Sequence, residues 1–370
     1  MRVLTATLID TLRYLRSRFM FWIVLALSAL GAVALFATYS FTPEGIRFLW
    51  FNPIENEALR AGEPGSRLFV LGLFNGTFLK IWLGWGAMIL ALVSTASIMP
   101  DFLRGGSIDL SLSRPIRRPV LFVYKYIGIL LFALIQLTIA VGLAYLIIGI
   151  RFDMWFPKAL LAIPLLLLQF VYLSCIAAFL AVLTRSTIAS LLGTILVWFV
   201  VFLIQFASNS LTENTAALES LVQTQRQRIE KGERIIADAD QPSQRVIDRL
   251  EGIRAELESN QRVLDGISPW ESKLRRVELF VPKTGDLQKI LAREVEAPVG
   301  GQFFELLGAN NDDMRPASID DEQWADMQNA GKDGSKAVRE FSAAVSIGSS
   351  LAFCLGLLGL ATWRFSRRDY

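Results

Sequence analysis

The chain has 370 residues, 53% of them hydrophobic and only 19% charged, and a mean hydropathy of +0.44, a balance outside that of soluble globular chains. It has no histidine, which excludes imidazole metal ligands, histidine general bases and Ser–His or Cys–His nucleophiles. The net charge of +3 hides a split: residues 211–340 hold 18 Lys/Arg against 25 Asp/Glu, a net of −7, leaving a basic remainder of +10 that suits membrane loops and gives no sign of nucleic acid.

In residues 1–18, Leu4, Leu8, Leu12 and Leu15 continue to Phe19 at steps of three and four, opposite Arg2, Asp10, Arg13 and Arg16. This pattern predicts an amphipathic helix lying in the membrane interface; a plain cytoplasmic extension of the first span is the alternative. Six apolar runs follow, at residues 19–40, 78–99, 126–150, 159–183, 187–207 and 341–363. Each is about 20 residues or longer, enough for a helix to cross the hydrocarbon core. Ala32-Val33-Ala34 resembles a signal-peptide cleavage site, but 18 residues precede the first run and it stays apolar beyond Ala34, which favours an uncleaved helix.

Lys80 is the only ionisable residue in these runs, expected near an end where its stem reaches the interface. Proton or sodium coupling and voltage sensing therefore lack their usual buried carboxylates or repeated arginines. Gln136, Gln169 and Gln205 are expected to bond helix to helix, with a substrate path as the alternative. Ser342, Ser346, Ser350 and Cys354, four apart, predict a small-residue packing face on the last span. Cys175 and Cys354 are the only cysteines and read as small packing residues, so neither a disulfide framework nor a metal site is expected.

Thirteen Lys/Arg flank the runs on one side: Arg2, Arg13, Arg16, Arg18, Arg104, Arg114, Arg117, Arg118, Lys125, Arg185, Arg364, Arg367 and Arg368. Only Arg47, Arg60, Arg67, Arg151 and Lys158 lie in the opposite short loops. This asymmetry predicts cytoplasmic termini and an extracytoplasmic 211–340 segment.

That segment is charged and helix-periodic. Ser210 and Glu213 have capping-box spacing at its start. Val222, Ile229 and Ile236 repeat at seven; beyond Asp240-Gln241-Pro242, the series Val246, Leu250, Ile253, Leu257, Asn260, Leu264, Ile267 alternates steps of four and three until Gly266 and Pro269, which are expected to stop it. The expectation is a coiled-coil hairpin over about 211–268, with arms roughly 40 Å long; one kinked helix is the alternative. Residues 270–334, with Phe280, Phe303, Phe304, Leu306, Leu307 and Trp324, suggest a small packed subdomain.

The loop between the second and third runs is the most specific string: PDFLRGGSIDLSLSRPIRR at 100–118, leading to Lys125-Tyr126-Ile127-Gly128. Together with the amphipathic start, six runs and the Arg367-Arg368-Asp369 tail, it resembles the permease subunit of type-2 ABC transporters of the exporter kind. The resemblance covers residues 1–207 and 341–370, and departs from the compact family pattern in the 211–340 insertion. It implies an all-α membrane protein: interfacial elbow helix 1–18, spans one to five in 19–207, extracytoplasmic domain 208–340, span six at 341–363 and cytoplasmic tail 364–370. It further implies a bacterial cytoplasmic-membrane location, a second permease chain and a separate ABC ATPase.

The ATPase would dock on Asp101, Arg104, Ile108, Asp109, Leu110 and Leu112, with Arg114, Arg117 and Arg118 either contributing or only anchoring the third span to headgroups, and Arg185 marking the second cytoplasmic turn. ATP and Mg would sit on that partner. This chain has no phosphate-binding GxxxxGK[ST] loop: the nearest string, Gly331-Lys332-Asp333-Gly334-Ser335-Lys336, lacks the spacing, so no enzyme activity of its own is expected. Besides ATP-driven export, a second reading is a membrane scaffold that transmits ATPase motion to a periplasmic partner through 211–340 without moving a solute.

Overall fold

The computed structural model describes residues 9, 13, 16, 19–51, 54–55, 59–103, 118–238, 243–279, 281–295, 321–339 and 342–367. The expected elbow helix mostly lies outside these residues, although Ile9, Arg13 and Arg16 are helical. The chain divides into two compact units, one formed by 1–199, 282–310 and 347–370, the other by 200–281 and 311–346.

The first unit begins with α1 (Phe19–Phe36), an uninterrupted apolar helix of 18 residues, about 27 Å at 1.5 Å per residue. It ends before the apolar run does, because Tyr39-Ser40-Phe41-Thr42 is a better strand than helix. β1 (Tyr39–Thr42), β2 (Gly45–Phe48) and β3 (Ile54–Glu55) form an antiparallel sheet in that order, with Tyr39 opposite Phe48 and Thr42 opposite Gly45 across the Pro43-Glu44 turn. An all-α reading did not anticipate this sheet, whose segments are too short for hydropathy to register.

α2 (Pro64–Gly72) starts with Pro64 in the first helical turn after extended Glu63, where its missing N–H costs nothing. It passes into a π-helix (Leu73–Ala87), then α3 (Met88–Thr95) and α4 (Ile98–Phe102). The helical stretch thus begins fourteen residues before the apolar run at 78. As a result Lys80 lies midway along Pro64–Phe102, exposed, and not near an end as expected. Fifteen residues of π-helix are unusual, since most π-helical segments are single turns and concentrate at functional sites.

α5 (Arg118–Phe152), a 3₁₀ turn (Pro157–Leu161) and α6 (Ala162–Thr184) follow. Arg185, left-handed at φ 53°, closes α6 and allows α7 (Thr187–Asp238) to begin two residues later. Five helical stretches are long and apolar enough to cross a membrane: Pro64–Phe102, Arg118–Phe152, Pro157–Thr184, Thr187–Asp238 and Ala343–Arg367; α1 is a shorter apolar helix. The protein is an all-helical, multi-pass membrane protein in its spans.

The unit's core is aromatic. Phe36 packs on Phe78 at 5.3 Å, Phe21 on Phe132 at 5.4 Å, and Trp85 stacks on Trp198 at 4.4 Å. In lipid, helices associate by close packing and hydrogen bonds because hydrocarbon is as apolar as the side chains. Gly31 illustrates this: a Cβ there would lie 2.0 Å from Nε1 of Trp82, so the indole occupies the missing side chain's place.

In the second unit, α7 continues through Ser210 and Glu213 without a break, so the expected helix start there is not one. α8 (Gln244–Glu278) likewise runs past Gly266 and Pro269. A proline deletes one intrahelical bond, and here the 25 helical residues before Pro269 and the nine after it carry the helix through. The helices are antiparallel: Ser208 Oγ donates to Glu278 Oε2 (2.9 Å), Thr212 Oγ1 to Glu271 Oε1 (3.3 Å) and Asn260 Nδ2 to Gln225 Oε1 (3.2 Å). Val246, Leu250, Ile253, Leu257, Asn260, Leu264 and Ile267 all face inward to some degree, and the rhythm extends to Glu271, Leu274 and Glu278.

α9 (Thr284–Val295) belongs to the first unit, and α10 (Asp321–Arg339) adds a third helix to the second. Arg228 pairs with Asp326 at 2.6 Å, Ser220 donates to Asp333 at 2.6 Å and Ser335 to Glu213 at 3.0 Å, so α10 runs antiparallel to α7. Close approach is possible at Gly334, where a Cβ would be 2.5 Å from the Glu213 carbonyl oxygen. Trp324 lies on α10; Phe280, Phe303, Phe304, Leu306 and Leu307 lie outside the described residues. The last helix is α11 (Ala343–Arg367).

Candidate functional site

At one end of the first unit the structure brings together the two stems of the 100–118 loop. Asp101 lies one residue before the end of α4 and Arg118 opens α5. Buried Phe102 and Phe122 both pack on Phe365 of α11, at 5.9 and 5.8 Å, and Lys125 Nζ lies 5.9 Å from the Phe102 ring centre. Arg367 covers Trp363 at 4.6 Å. α4 also packs against α6, whose C-terminus carries the Arg185 turn.

This end therefore sets Lys125 beside a phenylalanine triad that holds the loop's exit and return together, with Arg118 at the start of α5 and Arg364 and Arg367 in the last turn of α11. Arg104, Ile108, Asp109, Leu110, Leu112, Arg114 and Arg117 lie outside the described residues. The triad escaped the sequence reading because Phe365 stands 263 positions from Phe102; the only hint was an aromatic residue among the arginines of the tail.

Inside the spans, the polar groups converge on the π-helix. Gln136 Nε2 donates to Ser28 Oγ (2.9 Å) and to the Ala87 carbonyl (3.1 Å), while Gln169 Nε2 donates to the Gly84 carbonyl (3.1 Å). Gly84 leaves room for Gln288 of α9, whose Nε2 would stand 2.8 Å from a Cβ. Among the described residues, Gln136 Oε1, Gln169 Oε1 and both amide atoms of buried Asn75 meet no hydrogen-bond partner. Two glutamines from α5 and α6 thus tie their helices to one backbone, leaving acceptor oxygens in a low-dielectric interior. Gln205, also singled out by its place in an apolar run, is buried on α7 in the second unit.

Ser342, just before α11, is exposed, whereas on α11 Ser346 and Ser350 are buried and Ser350 Oγ accepts the backbone N–H of Lys283 (2.9 Å). Cys175 and Cys354, 179 positions apart, approach to 3.2 Å between sulfurs. An apolar groove of about 530 Å³ opens between α5 and α11, lined by Phe122, Val123, Tyr126, Leu355, Leu358 and Trp363 among others. No cluster of three or more metal-ligating side chains occurs among the described residues.

The family described as ABC-2 family transporter protein matches residues 76–370. The chain belongs to the ABC-2 family of transporter proteins. The match begins at residue 76 and runs through the 211–340 segment. Comparison with curated proteins and with solved structures gave no match. As an ABC-2 permease subunit, the chain is a membrane transport component, and its family works with an ABC ATPase subunit, commonly as a dimer.

Proposed function

We propose that this ABC-2 permease couples ATP hydrolysis on a separate ATPase to export, with the loop from Asp101 to Arg118 as the docking element. The observation that carries the proposal is the clamping of both loop stems on Phe365 beside Lys125, which joins a force on the loop to α4, α5 and α11 at once. Ile108, Leu110 and Leu112 would fill an apolar groove on the ATPase, with Asp101, Arg104 and Asp109 at its rim. ATP and Mg are held by that partner.

In the same reading α1 is a sixth span, residues 1–18 form an elbow helix, both termini face the cytoplasm of a bacterial inner membrane, and the second unit is extracytoplasmic. Two permease chains pair; the exposed stripe Ile188, Leu192, Leu196 and Phe199 on α7 supplies an apolar face for the second copy. The antiparallel arms of α7 and α8 are the coiled-coil hairpin, available to a periplasmic partner.

The scaffold alternative draws support from α7, which has no break between its apolar start and its charged C-terminal part, so motion of the span has a continuous helix to act on. Proteoliposome transport with and without the hairpin separates the two readings. Docking is tested by Asp109→Arg and Leu112→Asp: both variants should insert at wild-type levels yet lose co-purification with the ATPase. Wild-type recovery of the ATPase by both would move the contact elsewhere.

A further inference from the structure

The β1–β3 sheet exposes a contiguous apolar turn. Leu49, at φ 52°, bends the chain in a region that branched or bulky side chains rarely enter, and the turn closes with Phe51 N–H bonded to the Phe48 carbonyl (3.0 Å). Its side chains point away from the protein: Trp50 is 81% exposed and Phe51 59%, stacked on one another at 6.0 Å, with Phe48 and Ile54 also exposed. A patch of this kind on a chain surrounded only by water marks a contact surface.

Register fixes its height. Phe48 pairs with Tyr39, and the Leu49 N–H bonds to the Thr38 carbonyl, two residues past α1. Tyr39 stacks on Phe152 at 5.3 Å and its carbonyl accepts from Arg151 Nε at 3.1 Å, so the strand is tied to the last residues of α5. The hairpin thus folds its apolar turn back to the end of the spans, while the polar Pro43-Glu44 turn points to the other end of the sheet. One residue before Arg151, Ile150 is 77% exposed, and Trp155 beyond it is also exposed. The apolar turn continues the lipid-facing surface of α5 at the level where that surface ends, and exposed Arg47 stands next to it on β2.

We propose that the 48–51 turn is a membrane-interface anchor whose partner is the phospholipid headgroup and upper acyl region of the bilayer that α5 crosses. The tryptophan ring settles at that depth because it joins an apolar body to a polar indole N–H, the phenylalanine rings add apolar surface to insert among the upper acyl chains, and Arg47 is placed to meet lipid phosphate. The anchor holds the sheet flat against the membrane and thereby fixes the end of α5 through Tyr39. It rests on α5 spanning the membrane, not on the direction of transport or on any ATPase.

The test uses the full chain in nanodiscs of phosphatidylcholine and phosphatidylglycerol, with a fluorophore on Trp50→Cys or, for reference, on Glu44→Cys. Position 50 should be quenched by lipids carrying a nitroxide near the headgroup and protected several-fold from aqueous iodide, while position 44 shows the reverse. Equal iodide quenching at both positions would overturn the anchor. So would protection of position 50 from both quenchers, the outcome of burial against a second copy or a soluble partner. If labelling disturbs folding, Trp50→Phe supplies the check: it should remove a lipid-quenchable component from the intrinsic fluorescence, and an unchanged quenching profile would also overturn the proposal.

Discussion

The two units solve the problem of joining helices in different ways. In the first, α5 and α6 are tied to the π-helix by uncharged amides, Gln136 to Ala87 and Gln169 to Gly84, and aromatic contacts such as Phe36 on Phe78 fill the core. In the second, α7, α8 and α10 meet through charged and hydroxyl groups: Arg228 with Asp326, Arg254 with Glu233 at 2.6 Å, Arg249 with Glu322. Between its arms the apolar component is thin, with Val222 and Leu250 as its buried members. The difference follows from solvent. A charge is costly in hydrocarbon and cheap in water, whereas burial of apolar surface drives association only where water is displaced.

The comparison can be broken at four places, in decreasing order of effect. Gly334→Leu should be the most damaging, because the new side chain meets the Glu213 backbone 2.5 Å from its Cβ and has no flexible neighbour to displace. Loss of α10 packing, on the order of 3 kcal/mol, should appear as rapid proteolysis between α9 and α10 while the spans stay intact. Leu250→Ala removes a buried leucine packed over Gly232 and should cost about 2 to 3 kcal/mol, read as a lower melting temperature of the second unit.

Gln136→Leu should cost only about 1 kcal/mol: it forfeits two bonds but also removes an unpartnered oxygen, and interhelical bonds in membranes are modest. Its effect on thermal stability in detergent should be insensitive to salt. Arg254→Ala breaks an ion pair whose side chains are half exposed, and should cost less than about 0.5 kcal/mol, vanishing in high salt. A salt-dependent Gln136 effect, or an Arg254 effect larger than that of Gln136, would refute the contrast.

Much of this was readable in the sequence for reasons specific to each element. The five long apolar helices were legible because length and hydropathy alone define a span, and the four-three rhythm from Val246 to Ile267 marked the inward face of α8. Local stop signals misled. Ser210-Glu213 and Gly266-Pro269 have the chemistry of helix ends, yet helices that pack along their whole length override a single capping or proline penalty. The π-helix left no mark in hydropathy, and the groups that meet its carbonyls arrive from α5 and α6, far away in sequence. The sheet was too short to register, and the phenylalanine triad joins residues far apart in sequence. The docking role proposed for residues between Arg104 and Arg117 rests on the string alone, because they lie outside the described residues.

The proposed ATPase contact is the loop-bearing end of the first unit, and the second unit takes no part in it. The most direct measurement is ATP hydrolysis by the partner ATPase in nanodiscs with wild-type chain, Leu112→Asp or Gly334→Leu. The account predicts that the wild type changes the hydrolysis rate several-fold over ATPase alone, that Leu112→Asp abolishes the change, and that Gly334→Leu preserves it despite its damage to the second unit. Wild-type coupling by Leu112→Asp, or loss of coupling in Gly334→Leu alone, would contradict it.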